Sequence, residues 1–288
     1  MRIANVANRA HLVVGADDGS DRLIDIADAS DQKFGPTPAA LYADWAAFTA
    51  WASSTSHDGE AGSPVDRSAL SAPSPEPRQV FAIGLNYDEH AKESGFEAPT
   101  DLPPVFTKYV SAFSGPDTEV VIPPGGNVDW EVELVLVMGA EARRIDPAAA
   151  WDHIAGVTVG QDLSERITQL RGPAPQFGLG KSYPGFAPQG PFLITPDELP
   201  NRDDLGIGCR IDDEVVQDGR TSEMIFDVPA LVVKISENVT LYPGDVIFSG
   251  TPAGVGMGRE PKRFLKAGET LHTWIEGVGE MTQRFVAG

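Results

Sequence analysis

The chain has 288 residues, 41% of them hydrophobic, enough for a sizeable core and for two folding units. Its 42 acidic against 22 basic residues leave a formal charge of −20, which repels nucleic acid and anionic membranes and argues against both as partners. The single cysteine, Cys209, excludes an internal disulfide and is expected to be a buried apolar residue, not a nucleophile. No apolar run reaches membrane-spanning length and Met1 to Arg9 lacks an apolar leader core, so a cytoplasmic enzyme is the expectation.

Residues 1 to about 50 read as short strands (Ile3 to Val6, His11 to Gly15, Arg22 to Ile26) followed by a helix from Ala39 to Trp51. Asp17, Asp18 and Gly19 fit a hairpin turn between two of those strands. From Ala52 to Gln79 the composition shifts to Ser, Pro, Gly and charge, which reads as a linker. A small N-terminal α+β domain with its linker (1–75) is therefore predicted ahead of a larger domain (76–288). The larger part shows short strands with frequent Gly and Pro and few long helices. Its candidates include Val120 to Ile122, Gly208 to Ile211, Val239 to Leu241 and Val246 to Phe248, a mainly β or α+β pattern.

Val128 to Met138 reads as a strand rich in β-branched and large apolar residues, closed by Gly139. Alternation puts Trp130, Val132, Leu134 and Leu136 on one face and Glu131, Glu133, Val135 and Val137 on the other. Apart from the two glutamates both faces are apolar, so the strand reads as covered on both sides. Two adjacent buried carboxylates conflict, because like charge and desolvation each disfavour ionisation. A divalent cation between them removes the conflict; a solvent-facing sheet end, or pairing with Arg or Lys, is the alternative.

Asp162 is the candidate third oxygen ligand. It follows a short strand, Ile154 to Gly160, and either Asp162 or Ser164 is placed to cap a helix that aligns Asp162, Arg166 and Gln169 on one face. Lys181, in a loop dense in Gly and Pro, completes a neutral set with three carboxylates and one divalent ion. His90 and Glu93, three apart, meet on one face of a helical turn, where the carboxylate fixes the imidazole tautomer and makes it a competent base for water. Ordinary surface charge on an exposed helix explains the same two residues. His11, His57, His153 and His272 read as structural or surface residues.

The glycine-rich run Gly250 to Gly256 follows a strand but lacks the Gly-Lys-Ser/Thr ending of a phosphate-binding loop, and no amphipathic helix opens after it. It reads better as a tight loop whose backbone N–H groups and Thr251 hydroxyl can approach a small carboxylate, with a plain β-turn run as the alternative.

From about Val80 to Val286 the chain resembles the fumarylacetoacetate hydrolase family. Six segments carry the resemblance in order: Ile83 to Glu93 (G-x-N-Y-x-x-H-x-x-E), Asp129 to Glu133 (D-x-E-x-E), Gly160 to Ser164, Gly180 to Tyr183, Arg220 to Phe226 and Ser249 to Gly256. The resemblance implies a mixed β-sandwich roll with the active site at one end, a homodimer, and a helix bearing His90 and Glu93 that acts as a lid. It implies Mg²⁺ or Mn²⁺ held by Glu131, Glu133 and Asp162, with His90, Glu93 and Lys181 catalytic. Arg166, Gln169, Gly250 and Thr251 are expected at the substrate, with Lys108, Tyr183 and Phe106 shaping the pocket.

The implied substrate is a β-diketo acid with a pyruvyl end, an acylpyruvate or fumarylpyruvate. Lys181 and Thr251 would bind that end, His90 would activate water against the distal carbonyl, and pyruvate would leave as its enolate. Oxaloacetate decarboxylation and enol–keto isomerisation of a hydroxymuconate-type diacid are alternatives on the same site. A non-catalytic protein that keeps the fold is a further one. Two departures from the family pattern stand out: Pro184 where many relatives carry an acidic residue, and Glu165 before Arg166.

Overall fold

A computed structural model describes residues 1–55 and 62–288 of the protein. Its centre is the strand Val132–Met138, every residue of which is buried. Apolar side chains on both faces require cover on both faces, and the strand lies inside a sheet covered in that way. It pairs antiparallel with Ile154–Gln161 on one side and with Val246–Phe248 on the other.

The large mixed sheet runs outward from this pair. One flank passes through Ala187–Ile194 to Arg2–Val6, Arg9–Gly15 and Asp21–Asp25; the other passes to Val80–Ile83 and Val105–Phe106. A second sheet, in the order Glu214–Arg220, Gly206–Ile211, Thr270–Ile275, Gly279–Ala287 and Asp117–Ile122, packs across the middle strands of the first. The result is a sheet-dominated α+β roll. Arg2–Val6 bonds antiparallel to Ala187–Ile194, so the N-terminal strands extend the large sheet and a continuous sheet crosses the linker boundary near residue 75.

Several sequence expectations need correction. The helix expected from Ala39 to Trp51 is two helices, Pro38–Ala43 and Trp45–Ser54. Asp44 breaks them and accepts a hydrogen bond from Ala47 N at 3.4 Å as the second cap. Val239 to Leu241 is not a strand. It follows the helix Val228–Asn238, a segment with no element expected from the sequence, whose Val228, Leu231, Val232 and Ile235 bury one helical face. Within the expected linker, Ser63–Pro64 pairs with Asp21–Asp25 and Leu70–Ser71 with Arg2–Val6 as short strands. The Asp17 to Gly19 turn closes a hairpin with Gly19 at φ 78°, and His57 lies outside the described residues.

Gly160 sits one residue before the end of Ile154–Gln161, opposite Glu133. A Cβ there would collide with Val135 Cγ2 and press on the Phe248 ring at 3.1 Å. Gly160→Ala is therefore expected to destabilise the fold by about 1–3 kcal/mol, read as a lower urea midpoint with an unchanged slope.

Candidate active site

The strand expected from Val128 to Met138 is interrupted. Val128–Asp129 pairs with Ser164–Glu165, Trp130 and Glu131 leave the ladder, and pairing resumes at Val132. Side-chain amides replace the missing ladder bonds: Glu131 N donates to Gln161 Oε1 at 2.9 Å and Val132 N to Gln217 Oε1 at 3.0 Å. Asp162 N donates to Glu131 O at 2.9 Å, which ties the two chain segments together where their carboxylates meet. One carboxylate oxygen from each of Glu131, Glu133 and Asp162 lies within 4.8 Å of the others.

Asp162 is not on a helix, contrary to the sequence reading. It follows Ile154–Gln161 directly, and the short helix Arg166–Gln169 is capped by Glu165, which accepts from Ile167 N at 3.1 Å and Thr168 N at 2.8 Å. Glu165, one of the two departures from the family pattern, thus has a local structural task.

Three buried cations meet the carboxylates. Lys181 Nζ lies 2.6 Å from Glu131 Oε2 and 2.7 Å from Asp162 Oδ2, and Lys108 Nζ lies 2.5 Å from Asp162 Oδ1. Arg166 Nη2 reaches both Glu131 Oε1 and Asp129 Oδ2 at 2.7 Å. Four carboxylates face three cations, and Glu133 is the carboxylate without an ion pair among the described residues. Its one side-chain hydrogen bond there comes from Gly250 N at 2.8 Å.

The titration of these groups follows that imbalance. Burial, then Asp162 and Glu131, push the Glu133 carboxyl well above its usual range. Burial acts in the same direction on Glu131, but Lys181 and Arg166 outweigh it and bring that carboxyl down to about 2. Burial would lower Lys181, yet Asp162 and Glu131 raise it, so it serves as a cation and not as a neutral base. Lys108 is lowered by burial. A divalent ion held by Glu131, Glu133 and Asp162 would supply the charge that Glu133 lacks, and an all-carboxylate set suits a hard ion such as Mg²⁺ or Mn²⁺.

Of this cluster, Glu131, Arg166 and Lys181 line a cavity of about 240 Å³, together with Gln169, Thr251 and His90. His90 lies on the helix Asp88–Glu93, with Nδ1 2.8 Å from Glu93 Oε1, the expected spacing on one helical face. Glu93 also accepts from Gly254 N at 2.9 Å, which fastens the helix to the glycine-rich loop. Thr251 Oγ1 accepts from Gln217 Nε2 at 2.8 Å, leaving its own proton to offer to the cavity. A larger hollow of about 930 Å³ lies behind Phe106 and Phe177 but none of the acidic cluster lines it.

Three residues expected at the substrate stand behind the cavity wall. Lys108 is fully buried against Asp162 and donates to Lys181 O. Gly250, at φ 100°, turns its N–H to Glu133, and a Cβ there would meet Asn86 Cβ at 2.7 Å. Tyr183 directs its hydroxyl to Thr168 Oγ1 at 3.0 Å and packs on Phe186. Phe106 does line the cavity, with Lys181 Nζ 5.1 Å from its ring centre.

Sequence reasoning assigned no task to Asp129, Gln161 or Gln217. Asp129 is fully buried and accepts from Arg166 Nε at 2.8 Å, Gly256 N at 2.7 Å and Met257 N at 2.9 Å. Its place in the D-x-E-x-E segment was the available signal, whereas neutral amides such as Gln161 and Gln217 carry none. Cys209 is buried, its thiol pushed up by burial, with Sγ 3.3 Å from Gln217 Oε1, as expected of a structural cysteine. Among the described residues no helix is long and apolar enough to cross a membrane.

A family profile described as fumarylacetoacetate (FAA) hydrolase C-terminal matches residues 79–286. The human protein named oxaloacetate tautomerase FAHD2A, mitochondrial, is 43% identical over 216 residues, 75% of this chain and 68% of its own length. A crystal structure of a Mycobacterium smegmatis protein assigned as HpcE superposes with a TM-score of 0.94 at 54% identity, covering all of both chains. Maleylpyruvate hydrolase from Sphingobium sp. SYK-6, solved with manganese(II) and pyruvate, gives a TM-score of 0.79 at 26% identity over the full length of both chains.

Mn²⁺ at one hundred times its Kd is expected to stabilise the protein by about 2.7 kcal/mol, visible as a higher Tm. Glu133→Gln removes the unpaired buried carboxylate. It is expected to leave the metal-free Tm unchanged or higher while abolishing the Mn²⁺ shift. A full shift in that variant counts against the metal assignment.

Proposed function

The chain belongs to the fumarylacetoacetate hydrolase family, and from that premise we propose that it hydrolyses a carbon–carbon bond in a β-diketo acid of the acylpyruvate or fumarylpyruvate type. The products are pyruvate and an organic acid. The observation that carries this reading is His90, paired with Glu93, lining the same cavity as Lys181 and Glu131. An activated water is needed for hydrolysis and not for decarboxylation.

Glu131, Glu133 and Asp162 would hold Mg²⁺ or Mn²⁺, whose chemistry is Lewis-acid polarisation of the 2-keto oxygen and anchoring of the adjacent carboxylate. Lys181 places a positive charge beside the oxygen on which negative charge collects as the bond breaks. The Thr251 hydroxyl, oriented by Gln217, donates to the substrate carboxylate. With Nδ1–H directed to Glu93, His90 takes a proton from water at Nε2. The hydroxide adds to the distal carbonyl carbon, and the bond between that carbon and the methylene breaks. Its electron pair passes to the pyruvyl fragment, and His90 returns the proton to the methylene carbon.

A second reading, enol–keto tautomerisation, is supported by the 43% identity to a protein named oxaloacetate tautomerase. The same dyad would then move a proton on carbon without water. We also propose a homodimer and a cytoplasmic location, although the human relative's name places that protein in mitochondria.

With Mn²⁺, equimolar pyruvate and organic acid are expected from acylpyruvates, and none after chelation. Pyruvate from oxaloacetate alone would indicate decarboxylation, and a change in enol absorbance without pyruvate would indicate tautomerisation. His90→Ala is expected to lower kcat about 10²–10⁴-fold with an unchanged Mn²⁺-dependent Tm shift; an unchanged kcat removes His90 from the mechanism.

A further inference from the structure

The cavity has a charged floor and an apolar wall. Glu131, Arg166, Lys181 and Thr251 at the floor are each 5% exposed or less, whereas Leu170 and Phe96 at the rim are 49% and 58% exposed. The remaining lining is mostly apolar, with Ile83, Leu85, Phe106, Phe177 and Met257, and its neutral polar side chains are Gln169 and Ser94. Phe106 and Phe177 meet edge to face with centroids 5.5 Å apart, giving the wall a fixed aromatic face.

The cations that line this cavity are already engaged. Arg166 is paired with Asp129 and Glu131, Lys181 with Glu131 and Asp162, and His90 with Glu93. With a divalent ion present, the four buried carboxylates and three buried cations leave one positive charge, enough for one substrate carboxylate. The His90–Glu93 pair adds no net positive charge. A second carboxylate would find no further cation on this lining, only the neutral Gln169 and Ser94 and an otherwise apolar wall, and the −20 charge of the chain disfavours a dianion further.

We propose that the substrate is a monoanionic 2-oxo acid whose distal arm is uncharged and apolar, an aliphatic or aryl acylpyruvate in preference to a dicarboxylate. The proposal rests on the assignment of the charged floor to the pyruvyl end and narrows the substrate class given above. Ile83, Leu85, Phe106, Phe177 and Met257 contact the arm, and Leu170 and Phe96 close over its far end. Lengthening the arm by a methylene is expected to raise kcat/KM about fourfold until the arm reaches that rim.

The test compares binding and turnover separately. The full chain with Mn²⁺ is titrated with 2-oxohexanoate and 2-oxoadipate, which share a six-carbon backbone and differ in the terminal methyl or carboxylate. Kd is read by calorimetry, and kcat/KM is measured for hexanoylpyruvate and fumarylpyruvate. Binding of 2-oxohexanoate at least tenfold tighter supports the proposal, even if no acylpyruvate is cleaved; that second result would overturn hydrolysis alone. Equal or tighter binding of 2-oxoadipate, or binding of neither acid, overturns the proposal. Leu170→Arg, at a half-exposed position that leaves the core intact, supplies the missing partner and is expected to shift the ratio toward 2-oxoadipate at least tenfold. An unchanged ratio in Leu170→Arg and in Phe96→Lys overturns the placement of the arm.

Discussion

The constraint on which this structure depends is a charge deficit in a place that water does not reach. Glu133 is buried beside Asp162 and Glu131, without an ion pair of its own among the described residues. In an ordinary core such a carboxylate would be replaced by an apolar residue, because removing an uncompensated charge stabilises a fold. Here the surroundings keep it. Asp129 and Glu131 share Arg166, Glu131 and Asp162 share Lys181, and Asp162 also holds Lys108. Each cation is committed before it could reach Glu133, so the deficit is concentrated at one carboxylate, and there a divalent ion gains most.

The segment Gly250 to Met257 connects that cluster to the rest of the site. Its backbone N–H groups are divided among three carboxylates: Gly250 donates to Glu133, Gly254 to Glu93, and Gly256 and Met257 to Asp129. A loop of this kind is a row of fixed partial positive charges that needs no side chains of its own. It joins the carboxylate cluster, the His90 helix and the Arg166 anchor through one stretch of backbone. Displacement of this loop would therefore disturb the Glu133 cluster and the His90–Glu93 pair together, and Gln217 adds a fourth tie by donating to both Thr251 Oγ1 and Pro252 O.

What could be read in the sequence follows from how strongly each residue violates its setting. Glu131 and Glu133 stand out because a run such as Val132 to Met138 has no place for acids unless something neutralises them. Lys181 followed from charge, and His90 and Glu93 from helical spacing. The break at Trp130–Glu131 was hidden, because its replacement hydrogen bonds come from Gln161 and Gln217, 30 and 85 residues away in sequence. Nothing local distinguishes a glutamine that completes a ladder from one on a surface. The helix Val228–Asn238 was hidden for another reason: its β-branched residues favour strands, and tertiary burial of one face overrides that preference. The cap on Arg166–Gln169 went to Glu165 because Ser164–Glu165 pairs as a strand and the helix opens only after it.

The floor and the wall of the cavity serve different ends, and this bears on how far resemblance carries. Of the floor residues, Glu131, Lys181 and Thr251 lie in segments that match the family pattern and Arg166 lies two residues past one, so relatives that share them would share the proposed capacity to bind a 2-oxo acid and to stabilise negative charge beside it. Hydrolysis, tautomerisation and decarboxylation each need that capacity, and the floor does not separate them. Leu170, Met257 and Phe96 fall just outside the matched segments, at positions where a change alters what the arm meets without touching the metal cluster. A single basic residue there would convert an apolar arm site into an anion site, while the charge balance of the floor stayed as it is. Reaction type is therefore a question about His90 and access of water, and substrate choice is a question about a few apolar side chains at the rim.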